Sequence, residues 1–162
     1  MDSSNLSDLF AETQSTSIEV DGLRVFAVFD LVDAEGTWAL TLRANSPARP
    51  QGVVVKSVGS NLEVDGDFYP SLAFWAREIP AEWVFSVHKR SDQSGSIRLW
   101  PTWKTLDANG KPYFDDAFRG NCGMLVEADD DRVAIRCSDG PGEVDFTALH
   151  VDLTRISREI AK

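Results

Sequence analysis

Two cysteines, two histidines and five tryptophans are the side chains in this 162-residue chain best equipped for chemistry, and their spacing favours binding over catalysis. Cys122 and Cys137 bracket an alternating run that reads as a hairpin. With Asp129-Asp130 in a two-residue turn, Met124 faces Ile135, Val126 faces Val133, Glu127 faces Arg132, and Cys122 faces Cys137. Directly opposed residues of that kind have Cα atoms about 5.5 Å apart, within disulfide reach. Two cysteines in a small domain fit a reducing compartment, however, and the favoured reading is a pair of buried thiols acting as small hydrophobes. No further Cys or His stands at ligand spacing, so no metal site is expected. Arg136 alone is too little positive charge to make a reactive thiolate.

His88 has richer surroundings. In the run 83–90, Trp83, Phe85 and Val87 alternate as a core face, leaving Ser86, His88 and Arg90 outside. In the run 96–103, Ile97, Leu99 and Trp103 do the same, leaving Arg98 and Trp100 outside. If the two runs pair through the loop Ser91–Gly95, His88 stands opposite Arg98, and Ser86 opposite Trp100. The candidate ligand-binding set is therefore His88, Arg90, Arg98 and Trp100, an aromatic surface among cations suited to a stacked ring or an anion. The competing reading covers Trp100 with other structure and lets the arginines extend outward. Trp38, Trp83 and Trp103 fall on apolar faces and read as core, Trp75 is undecided, and one exposed tryptophan is too little for a sugar platform. His150 is expected to pack as a neutral ring beside a terminal helix.

Carboxylates cluster at Asp115-Asp116 and Asp129-Asp130-Asp131, where adjacent acids in turns are ordinarily solvated. Asp65-Gly66-Asp67 matches only a fragment of a calcium loop. No P-loop, G-x-G-x-x-G, G-x-S-x-G or H-E-x-x-H occurs, so no catalytic residue, cofactor or metal is assigned.

The elements that must position these groups are mostly strands. Residues 1–17 read as an arm with a short helix carrying Leu6, Leu9 and Phe10 behind caps at Ser3, Ser4 or Asn5. Residues 18–162 read as one β-rich domain. Leu23 to Val32 alternates with apolar residues on both faces and predicts a strand covered on both sides. After a turn at Asp33-Ala34-Glu35-Gly36, Thr37 to Arg43, Val53 onward, 83–90 and 96–103 follow as strands. Phe68, Leu72, Trp75 and Ile79 recur at helical spacing, which predicts a short helix within residues 68–82 even though Pro70 and Pro80 bracket the segment. Leu149, Leu153, Ile156 and Ile160 mark a helical stripe, with Arg155, Arg158 and Lys162 near its end. The fold expected is mainly β, an antiparallel β-sandwich or half-barrel with a C-terminal helix packed on the sheet.

Sixteen Lys and Arg against 26 Asp and Glu leave a net charge of −10. One base and eight acids fall in residues 1–35, nine and seven in 36–112, six and eleven in 113–162. That balance disfavours nucleic acid and anionic membranes and favours a basic protein partner; self-association stays open. No run of about 18 apolar residues spans a bilayer. The start Met1-Asp2-Ser3-Ser4-Asn5 lacks a secretory signal, so a cytoplasmic location is expected. The function expected is non-enzymatic protein binding, as in a small acidic inhibitor, immunity protein or chaperone. The alternative is a small-ligand-binding protein or enzyme using the face around His88, Arg98 and Trp100.

Overall fold

Period-two alternation governs most of the backbone in the computed structural model, which describes residues 5–45, 49–77, 82–90 and 92–158. Among these residues one helix, α1 (Leu6–Thr13), precedes fourteen strands: β1 (Ser17–Val20), β2 (Leu23–Phe26), β3 (Phe29–Leu31), β4 (Gly36–Ala44), β5 (Gln51–Val58), β6 (Ser60–Val64), β7 (Asp67–Tyr69), β8 (Ser71–Trp75), β9 (Glu82–Lys89), β10 (Ser96–Leu106), β11 (Pro112–Asp116), β12 (Gly123–Ala128), β13 (Arg132–Ser138) and β14 (Leu149–Ser157). Among the described residues, one antiparallel sheet runs β1-β2-β12-β13-β14-β4-β9-β6-β7. A second runs β11-β10-β5-β8, with β3 also paired to β10. The fold is mainly β with antiparallel sheets, and no described helix is long and apolar enough to cross a membrane.

The two sheets share one core. Trp38, Leu40 and Leu42 on β4, Leu149, Val151 and Leu153 on β14, Val53 and Val55 on β5, and Ile97 and Leu99 on β10 are all sealed from solvent and belong to the same cluster. Strands alternate their side chains between faces, so the inward members of each run meet across the gap while their neighbours face water. The chain changes sheet at sharp bends. Gly59, at φ 64°, takes β5 of one sheet into β6 of the other. Its left-handed backbone favours glycine, and a Cβ there would stand 2.6 Å from Gln93 Oε1.

The terminal helix is the main correction. Residues 149–157 form β14, a central strand between β13 and β4. Leu149, Val151 and Leu153 are the buried set, whereas Ile156, required by the helical stripe, is 58% exposed. Leu149 and Leu153 satisfy both periods, and Val151 decides between them: it is apolar where a strand needs it and off the helical stripe. The β-branched Val151, Thr154 and Ile156 add to the strand preference. Ile160 lies outside the described residues. His150 accordingly sits half-buried on the outer side of a strand rather than against a helix.

The only helix among the described residues is N-terminal. Asn5 caps α1: its side chain accepts from the Asp8 amide at 3.0 Å, and the Asp8 carboxylate accepts from the Asn5 amide at 3.2 Å. Leu6 is buried with Ile18 and Val25, docking the helix on β1 and β2.

Three further expectations change. The run 23–32 is two short strands in different sheets, broken at Ala27-Val28; both of its faces are apolar because each half serves a different sheet. Residues 67–69 and 71–75 are two strands in different sheets, parted at Pro70, not a helix, with Phe74 buried against Trp83 and Phe85; Ile79 lies outside the described residues. In the β12–β13 hairpin the turn is Asp130-Asp131. Asp129 Oδ1 accepts from the amides of Asp131 and Arg132, both at 2.9 Å, so its side chain closes the turn one residue later than expected. Partners shift while the faces are kept: Met124 meets Cys137, Val126 meets Ile135, and Glu127 meets Ala134 rather than Arg132.

Candidate functional site

The four residues expected to share one surface are divided between the sheets. β9 lies between β4 and β6 in the nine-stranded sheet, while β10 lies beside β5 in the other. β9 and β10 therefore do not pair as a hairpin, and His88 does not meet Arg98. The alternation itself holds: Phe85, Val87, Ile97 and Leu99 are buried, and His88, Arg98 and Trp100 are partly exposed. Arg98 is held by Asp30 on β3, at 2.7 Å from Nε and 3.2 Å from Nη2. That hydrogen bond, and then the charge of Asp30, raise the Arg98 pKa further. Trp100 lies against Phe118, ring centroids 5.5 Å apart.

His88 and Arg90 stay together on the outer side of the other sheet, beside a hairpin. Asp65 and Gly66 both have positive φ, 51° and 87°, as a type I′ turn requires. They join β6 to β7 with Val64 opposite Asp67, Glu63 opposite Phe68 and Leu62 opposite Tyr69. Glu63 Oε1 stands 2.7 Å from His88 Nε2, and the Phe68 ring meets the His88 ring edge-on at 5.4 Å. Arg90 Nε and Nη2 both donate to Asn61 Oδ1 at 3.2 Å. Asn61, Glu63, Phe68, His88 and Arg90 thus form one continuous surface.

β7 is the last strand of its sheet, and all three of its residues are exposed. Phe68 is 60% exposed and Tyr69 38%. Successive strand residues point to opposite faces, so Phe68 stands on the outer face with Glu63, and Tyr69 on the face of Leu62. A two-residue hairpin makes the residues flanking its turn a hydrogen-bonded pair, and such pairs alternate with non-bonded ones. Glu63 and Phe68 are therefore a non-bonded pair, and the Phe68 N–H and C=O point to the open edge. Glu63, Asp65 and Asp67 give this edge an acidic border.

Tyr69 and Glu63 were not singled out in the sequence, and Phe68 was named only as part of an expected helix. The signal was present: Asp-Gly between alternating residues fixes a hairpin register, and that register puts Phe68 outward. Reading 68–82 as a helix hid it.

The other chemistry-capable residues are occupied structurally. Trp38 and Trp103 are buried, Trp83 is partly buried against the core, and the Trp75 ring carries Lys104 Nζ 4.4 Å from its centroid. Cys122 and Cys137 are both buried and free. Burial pushes the Cys122 thiol up to about 12, and burial followed by the neighbouring Cys122 holds Cys137 well above its usual range. Arg155, also not foreseen, is a clamp. Its side chain is only 5% exposed and lies over the Trp38 ring at 4.6 Å. It donates to the carbonyls of Glu35 at 2.9 Å, Asp33 at 3.0 Å and Asp130 at 2.8 Å, tying two turns to β14. Among the described residues, no group of three or more His, Cys, Asp or Glu is placed to hold a metal ion. Compared with known proteins, the chain matches no family model and no curated sequence.

Proposed function

We propose that this chain is a protein-binding domain that takes a basic partner along the open edge of β7, in the manner of a small acidic inhibitor, immunity protein or chaperone. The observation that carries the reading is Phe68, 60% exposed on an edge strand whose residues are all exposed. Large exposed aromatics cost solubility and act as interface anchors, each worth about 2 kcal/mol or more when truncated in a formed complex. An extended partner segment would hydrogen-bond to the edge and place alternate side chains against Phe68 and Tyr69. Its lysines or arginines would meet Glu63, Asp65 and Asp67, and the net charge of −10 would speed their encounter.

The alternative surface of His88, Arg98 and Trp100 has no single face to act from, because β9 and β10 belong to different sheets, so no enzymatic reading is carried forward. The protein-binding reading is tested by affinity capture with the wild type and the Phe68→Ser/Tyr69→Ser double variant, each washed at low and high salt. It expects a basic protein retained by the wild type, released by salt and lost with the double variant. Retention that is equal for both baits, or indifferent to salt, would overturn it.

A further inference from the structure

The His88 ring touches both the carboxylate and the aromatic side chain that a segment docked on β7 would meet. The β6–β9 register sets Asn61 opposite His88 and Glu63 opposite Ser86, so Glu63 and His88 are diagonal neighbours on the outer face. Glu63 is in turn directly opposite Phe68. The contacts follow from that placement: His88 Nε2 lies 2.7 Å from Glu63 Oε1, and the His88 and Phe68 rings meet edge-on at 5.4 Å. The His88 and Glu63 side chains are 27% and 28% exposed, so protons exchange with solvent at this pair.

Charged groups surround His88 from each neighbouring element. β6 supplies Glu63, and the hairpin turn and β7 supply Asp65 and Asp67. β9 itself adds Arg90, held by Asn61, while Lys89 turns to the opposite face. Toward β4, the Ser86 and Thr37 hydroxyls bond at 2.9 Å, with Glu35 just ahead of the strand. Along the edge, three carboxylates against Arg90 stay net negative while the imidazole is neutral. A neutral imidazole donating its Nε2–H leaves Glu63 its charge; an imidazolium cancels that charge and sets a cation beside Phe68.

We propose that His88 makes docking on β7 pH-sensitive: the edge holds a basic segment while His88 is neutral and releases it when His88 is protonated. The inference rests on the docking reading given above and adds to it the residue that regulates the edge. Linkage makes the effect reciprocal, because a bound lysine or arginine opposes protonation of His88. Binding is therefore strongest at about pH 8 and weakens toward about pH 5.5, the range in which an imidazole takes up its proton. A unit charge added about 6 Å from a partner ammonium, on a wet surface, weakens binding about three- to tenfold.

The test measures the affinity of a dye-labelled, end-blocked peptide of alternating lysine and valine for the full chain, by fluorescence anisotropy at low salt. Titrations at about pH 8 and about pH 5.5 bracket the histidine range, while lysines and ordinary carboxylates keep their charge at both. The expected result is affinity about three- to tenfold lower at the acid end. That ratio falls to about one in His88→Gln and persists in His150→Gln, which alters the histidine of β14 instead. Equal wild-type affinity at the two pH values, or a ratio kept by His88→Gln, overturns the inference and leaves the docking edge standing. No binding at about pH 8 overturns the docking reading and takes the inference with it.

Discussion

Replacing Arg155 by alanine tests how the two turns are held to β14. The guanidinium is covered on one side by the buried Trp38 ring at 4.6 Å and donates to three carbonyls between 2.8 and 3.0 Å. Hydrogen bonds from a charged donor are each worth about 1.5–3 kcal/mol. Asp33 and Asp130 sit in exposed turns where water can replace the guanidinium, so the Glu35 bond counts nearly in full and the other two only in part. The desolvated stack on Trp38 adds about 1–2 kcal/mol. Burial, and then the charge of Arg158, lower the Arg155 pKa; this desolvation cost offsets some of the gain. The net loss for Arg155→Ala is about 4 kcal/mol. Arg155→Lys keeps the charge but loses the planar fork and the stack, and should fall about midway. Urea unfolding followed by tryptophan fluorescence measures both. A loss under about 1 kcal/mol for Arg155→Ala would refute the clamp.

Three other perturbations follow from close packing and burial. Gly140→Ala should destabilise by about 3 kcal/mol, because the added Cβ would lie 2.3 Å from two atoms of the Trp103 ring and 2.7 Å from the Arg119 carbonyl; thermal unfolding reads this, and an unchanged midpoint would contradict it. Cys122 and Cys137 should resist thiol reagents at pH 8 until the chain unfolds, which a dithiobisnitrobenzoate assay with and without urea decides. The same burial sets an alkaline limit. Unfolded thiols ionise near 9.0, while folded Cys122 holds its proton to about 12 and folded Cys137 is held well above its usual range, so the unfolded state binds fewer protons above pH 9 and stability falls as pH rises through that window. Flat stability from pH 9 to 11 in a chain with no other alkaline response would count against the buried thiols.

Much of the architecture was readable because the inward and outward sets of β4, β9, β10, β12 and β13 alternate cleanly. Local pattern does not say which sheet a strand joins. That choice depends on pairings made far along the chain, such as β4 with β14 and β6 with β9, and it separated Arg98 and Trp100 from His88. The error at 149–157 has a local cause: leucines four apart satisfy a helix and a strand equally, and only the exposure of Ile156 and burial of Val151 distinguish them. The hairpin slip at Asp129 came from counting turn residues without asking which side chain caps the turn. Arg155 carried no signal, since the sequence does not show that an arginine lies under a loop.

The central claim is that β7 is an unfilled docking edge for a basic, extended segment. Its most direct test is amide hydrogen exchange at Asp67–Tyr69, with and without a synthetic peptide of alternating lysine and valine. The account predicts new protection centred on the Phe68 amide, reduced by salt and abolished in Phe68→Ser/Tyr69→Ser. Protection that appears elsewhere and leaves the β7 amides unchanged would contradict it.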